Sequence, residues 1–356
     1  MEFDLNEKQS QVRTGLREHL STIEKESFMN DYYRDVFKEK PGAVLIDRNT
    51  DFVTKVTALI EVAKASPSLS LALLDTSVSV LAFEAYASAL RNRSFAFTEE
   101  TAGSDLSLIE TTAKKTNEGW VLAGEKKHAF CTEFTEELII LAKLDESSFG
   151  IFNIPITDEN VSLHKEEVMG LEGIHQTTIT LSEVIASPSQ MIIKTGTNLD
   201  DLNQVFNLST LFMAAIAVGI AEKALSEALS YSRKRKQFGT IIGEYQAIQF
   251  KIAEAVVRIN ASKTLLYEAA QTLDCGEDAE AEISMSKVYA SETAKIAVDH
   301  SLQIHGSAAL VSGSPISKLY QFQRLTEIHG QTSELLRLKI ADRLVKSYSD
   351  ELVEIY

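Results

Sequence analysis

At 356 residues the chain is long enough for more than one core, and its 44% apolar and 24% charged content is that of an ordinary globular protein. A formal charge of -16 argues against nucleic acid and anionic membrane surfaces, which need basic stripes, but not against anionic small molecules held in a local basic pocket. Two cysteines, Cys131 and Cys275, are too few for a disulfide framework or a metal cluster, so no metal set is expected and a reducing cytoplasm is the expected location.

The first seven residues carry no basic or apolar run of an export signal, and the most apolar window, Leu211 to Ile220, is too short to span a bilayer. Residues 1–94 are expected to form an N-terminal helical domain. Leu5, Val12, Leu16, Leu20 and Ile23 fall at helical spacing, with Asp4 or Asn6 as N-cap, and Leu69 to Leu90 reads as a buried helix or a helical pair.

From Phe95 the period changes to short β-type runs: 94–98, 119–122, 138–141, 149–152 and 177–181, separated by turn residues such as Asn117-Glu118-Gly119. Residues 95–198 are therefore expected to be an antiparallel β domain, closed by Pro188 and Gly196. Residues 199–356 return to helical periodicity in four long segments, 202–236, 244–273, 278–304 and 333–353, which predicts a four-helix bundle. The fold class is α+β, mainly α.

Four stretches carry chemistry. Arg235-Lys236-Gln237-Phe238-Gly239 reads as a helix C-terminus in which Arg235 offers a fork for phosphate, Phe238 a face for a flat ring, and Gly239 a left-handed helix end. Thr98 to Asp105 is a strand running into a polar loop with Gly103 and Ser104, suited to presenting amides and hydroxyls. Gln303-Ile304-His305-Gly306 ends a helix on a glycine. Ile328 to Glu334 is a polar loop with Ser333 as the expected N-cap of the last helix.

In that order, and with Met169-Gly170 to Val184 between them, these segments resemble the acyl-CoA dehydrogenase family over nearly the whole chain. The resemblance implies FAD between the β domain and the bundle, an acyl thioester substrate on CoA or an acyl carrier, and a homo- or hetero-tetramer. It allows an electron-transfer flavoprotein as partner and leaves the electron acceptor open. Arg235 and Phe238 would reach the FAD of an adjacent chain, with Gln303 and Gly306. Thr98 would touch the flavin of the chain's own FAD, Thr332 its phosphates, and Ser104 the thioester arm.

The pattern also breaks. The family's proton-abstracting glutamate lies in a Tyr-Glu-Gly-Thr loop, and here the loop is His329-Gly330-Gln331-Thr332, with Gly330 at the carboxylate position. The alternative position on the preceding helix corresponds to Ser209. His329 is a weak substitute base, expected to titrate near neutral pH. Where the family packs an aromatic-x-hydroxyl pair on the flavin, this chain has His128-Ala129-Phe130, and Phe130 has no hydroxyl. Residues serving a neighbour's cofactor are kept while those acting on the chain's own are replaced. The leading expectation is a non-catalytic subunit of a heteromeric dehydrogenase. A homotetrameric enzyme with a relocated base, a flavin monooxygenase on the same fold and a cofactor-free scaffold remain open.

Overall fold

The computed structural model describes residues 5–22, 43–83, 91–196, 199–311 and 313–350. Helix α1 (Glu7–Thr22) starts on a reciprocal cap in which Asn6 Oδ1 accepts from the Gln9 amide and Gln9 Oε1 from the Asn6 amide, both at 2.9 Å. Asp4 and Ile23, also expected to shape this helix, lie outside the described residues. Helices α2 (Phe52–Ala65) and α3 (Pro67–Ala82) follow, joined at Ser66, whose hydroxyl caps α3 with Pro67 in the first turn.

Among the described residues, eight strands come next: β1 (Arg93–Ala96), β2 (Thr112–Lys115), β3 (Trp120–Thr132), β4 (Glu137–Asp145), β5 (Ser148–Pro155), β6 (Val161–Glu167), β7 (Ile174–Ala186) and β8 (Met191–Gly196). Their order is β6-β7-β3-β2-β4-β5-β8, with β1 beside β4. The sheet is not wholly antiparallel as expected, because β4 runs parallel to both β1 and β2. The chain leaves β1 into the 97–111 loop and turns back through the β2–β3 hairpin before laying down β4, which restores the direction of β1. The continuous apolar run Leu138-Ile139-Ile140-Leu141 reflects burial on both faces of β4. Ile139 and Leu141 join the core shared with the helices, and Leu138 and Ile140 a second core within the sheet.

The long helices are α4 (Asn203–Ser232), α5 (Gln246–Asp274), α6 (Glu280–His305) and α9 (Ser333–Asp350), with the short α7 (Pro315–Gln323) and α8 (Leu325–Ile328) between the last two. Residues 351–353 of the expected last helix lie outside the described residues. Helix α4 is the centre of the bundle. By length and composition it is apolar enough to cross a membrane, a wider span than the 211–220 window suggests, yet 78% of its most apolar stretch is buried against neighbouring elements. Gly219 allows α2 to approach it closely: a Cβ there would stand 2.6 Å from the Ile60 carbonyl oxygen.

Candidate functional site

Two buried ammonium groups organise the loops that carry the expected site residues. Lys126 on β3 is fully buried and donates to Glu99 Oε1 at 2.7 Å and to the Phe97 carbonyl at 3.3 Å. Glu99 also accepts from the Glu110 and Thr111 amides at 2.6 and 3.0 Å, so one carboxylate closes the 97–111 loop. Burial pushes the Glu99 carboxyl up, but Lys126 and these hydrogen bonds outweigh it and hold it below the usual carboxylate range. Burial pushes Lys126 down to about 8. Thr98 is half-buried next to this pair, its carbonyl accepting from the Lys127 amide at 2.8 Å, whereas Ser104 stands exposed at the loop's outer turn.

Lys287 on α6 does the same for the 327–333 loop. It is 1% exposed and donates to the carbonyls of Glu327 (3.1 Å) and Gln331 (2.8 Å), with Ser333 Oγ at 3.5 Å. Burial lowers its pKa to about 8 against the raising effect of Glu327 and Glu334. The N-cap of α9 is Thr332, not Ser333: Thr332 Oγ1 accepts from the Leu335 amide at 3.2 Å, while Ser333 turns inward to 3.4 Å from Ser291 Oγ. Sequence reasoning missed both lysines: Lys126 is hidden in the charged run Glu125-Lys126-Lys127, and Lys287 looks like a solvated cation on its helix. For Lys287, a charge inside an otherwise apolar periodic face was the available signal.

Gly330 adopts φ +68°, and a Cβ built on it would lie 3.6 Å from Ser209 Oγ on α4. The two positions at which the family resemblance places a base are thus neighbours, and neither carries a carboxylate. His329 does not supply one by titrating near neutrality. Burial first, and the Lys287 charge second, push its pKa down to about 4, so it is neutral at pH 7 and a poor proton acceptor. Its ring stands edge-on to that of Phe130, with centroids 4.9 Å apart. His128 sits on a β-bulge of β3 at φ +60° and is exposed.

The outer residues are arranged differently from the sequence reading. Helix α4 stops at Ser232, and Arg235 is followed by a two-strand hairpin, β9 (Lys236–Gln237) and β10 (Thr240–Ile241). Phe238 (φ +51°) and Gly239 (φ +85°) form its two-residue turn, so Gly239 serves the hairpin and not a helix end. Placing an aromatic at positive φ is unfavourable, and Phe238 is 96% exposed at the tip. Arg235 lines a surface cavity of about 420 Å³ with Tyr231, Lys234 and His305, where the Tyr231 and His305 rings stack at 4.3 Å. Gln303 and Gly306 are exposed at the same end of α6. A larger cavity of about 810 Å³ lies between α1, α2, α4 and α5. None of the expected site residues lines it, and its Arg17, Lys64 and Lys263 are engaged by Glu61 and Glu222.

Helices before and after an eight-stranded sheet, with a polar loop from the bundle meeting the sheet at Phe130 and His329, define a helical–β–helical fold class. The chain matches the family model for the acyl-CoA dehydrogenase middle domain over residues 94–184 and that for the acyl-CoA dehydrogenase C-terminal domain over residues 199–345. It is 36% identical to a 3-(aryl)acrylate reductase of Clostridium sporogenes over 257 residues, which is 71% of this chain and 68% of that protein. It is 31% identical, over the same shares, to the caffeyl-CoA reductase-Etf complex subunit CarC of Acetobacterium woodii. Butyryl-CoA dehydrogenase from Megasphaera elsdenii has the same fold, with a TM-score of 0.85 at 21% identity over 97% of this chain and 100% of that one. The chain belongs to the acyl-CoA dehydrogenase family.

Family membership implies FAD, and the residues present fit it on one side only. The outer wall fits: the Arg235 guanidinium is exposed, and so are Phe238 and Gln303. The inner wall does not. A flavin and an acyl group layered between β3 and the Gly330 loop need three successive contacts of about 3.5–4 Å, on the order of 10–12 Å from wall to wall. In this chain the rings of Phe130 and His329 touch directly.

Proposed function

We propose that this chain is the non-catalytic subunit of a heteromeric acyl-thioester oxidoreductase, in which it completes the FAD site of a related chain. The observation that carries this is the asymmetry between its two faces. Both positions for a proton-abstracting carboxylate, Gly330 and Ser209, lack one and adjoin each other, while Arg235, Phe238, Gln303 and Gly306 are exposed on the outer surface. Arg235 would hold pyrophosphate oxygens of the relative's cofactor and Phe238 would cover its adenosine end. On the chain's own side, Thr98 and Thr332 retain polar groups without a reactive partner.

The names of the two relatives suggest that the assembly works on an α,β-bond of an acyl or acrylyl substrate, with an electron-transfer flavoprotein as electron partner. The test is co-expression with a relative bearing a Tyr-Glu-Gly-Thr loop. A flavin-coloured complex that bleaches on adding an acyl-CoA, beside a colourless isolated chain, supports the proposal. Bleaching by the isolated chain overturns it.

A further inference from the structure

The Phe130–His329 contact joins two supports that are each held firmly. On the sheet side, Phe130 is paired with Gln176 of β7, and its carbonyl accepts from Ser94 Oγ at 2.7 Å. On the bundle side, the His329 amide donates to the Leu325 carbonyl at 2.8 Å, closing α8. One residue further, Gly330 turns the chain through positive φ, and Lys287 clamps the loop on both sides of the imidazole through Glu327 and Gln331. Thr332 then locks the loop to the first turn of α9. His329 thus sits in a loop held on both sides by the buried Lys287 ammonium.

The chemistry of the two rings suits a closed contact. Both are half-buried, and the imidazole is neutral, so an edge-to-face meeting with phenylalanine is an apolar contact that separating would expose to water. His128, on the bulge of the same strand, is exposed. The contact therefore bridges the sheet and the bundle between the two stretches that the family resemblance assigns to the flavin.

We propose that Phe130 and His329, backed by Lys287, act as a clasp that bars a flavin ring from this chain's own cleft. A complex built as under the proposed function then carries one flavin per pair of chains, held in the relative's cleft. Only this stoichiometric consequence rests on that reading, since the clasp belongs to the isolated chain.

Equilibrium dialysis of the purified full-length chain against FAD tests it, with bound flavin read by absorbance. The expected result is no saturable binding to the wild-type chain at micromolar FAD. Phe130→Thr removes the ring from the sheet side and His329→Ala removes it from the bundle side, so that one variant remains if the other fails to fold. Each is expected to tighten FAD binding by at least roughly tenfold, equivalent to about 1.4 kcal/mol. One FAD per wild-type chain overturns the proposal. So does a folded pair of variants that bind FAD no better than the wild type. Because no partner is present, failure here is distinct from failure of the heteromer reading.

Discussion

A Cβ on Gly330 would sit 3.6 Å from Ser209 Oγ, so the loop before α9 and the first turns of α4 offer two routes to a single point in space. They are not equivalent routes. Gly330 has φ +68°, where a side chain is strained, whereas Ser209 lies within a regular helix. Gly330→Glu is expected to destabilise the chain by ~1–2 kcal/mol and Ser209→Glu by less, measured by urea unfolding. A larger loss for Ser209→Glu would show that the point is not open to a carboxylate.

The Glu99–Lys126 pair is expected to be strongly non-additive. Removing one charge leaves the other buried and uncompensated, so Lys126→Met should destabilise by about 3–5 kcal/mol, whereas Lys126→Met with Glu99→Gln should be less damaging than the two single changes added together. A double-mutant cycle in urea reads the coupling. Simple additivity would mean that the pair is better solvated than its geometry shows.

Lys287 is expected to hold its loop locally. Lys287→Met removes two ammonium–carbonyl bonds at a cost of roughly 2–3 kcal/mol, hydrogen bonds to charged groups being worth about 1.5–3 kcal/mol each and partly replaced by apolar packing. Amide exchange in residues 327–333 should accelerate well before that of α4. Uniform acceleration across both segments would argue for a global role instead.

Asp75 makes a pH-dependent contribution whose sign is fixed. Its folded-state pKa, about 7, lies above the ordinary 3.8 because of burial, so the folded chain binds this proton more tightly than the unfolded chain. Stability attributable to it is present below about pH 4 and is lost as pH rises through about 7, by up to about 4 kcal/mol at about 1.36 kcal/mol per unit. Asp75→Asn should therefore flatten the profile and exceed the wild type in stability at pH 8. Equal destabilisation at pH 4 and pH 8 would exclude this origin.

The helical–β–helical order was legible because periodicity changes sharply near Phe95 and again after Asp200. Strand β6 escaped detection because it lies at the sheet edge with most side chains exposed, and its apolar alternation is confined to Val161 and Leu163. Helix α7 did carry a readable start, Ser314 followed by Pro315, which the structure uses as N-cap and first turn. The hairpin at Phe238–Gly239 was hidden because the same Gly that ends a helix also turns a hairpin, and only the pairing of Lys236–Gln237 with Thr240–Ile241 decides between them. The Phe130–His329 contact spans about 200 residues of sequence, and no local pattern encodes it.

Flavin retention by the co-purified pair of chains, with and without Arg235→Gln in this one, is the most direct test of the subunit assignment. Arg235 is exposed, so the substitution should leave this chain's own unfolding midpoint unchanged. The relative's flavin should dissociate at least about tenfold more readily, the loss of a charge-assisted hydrogen bond of about 1.5–3 kcal/mol. Unchanged flavin retention would contradict the assignment, because the side chain reaching across to the other polypeptide would then hold nothing there.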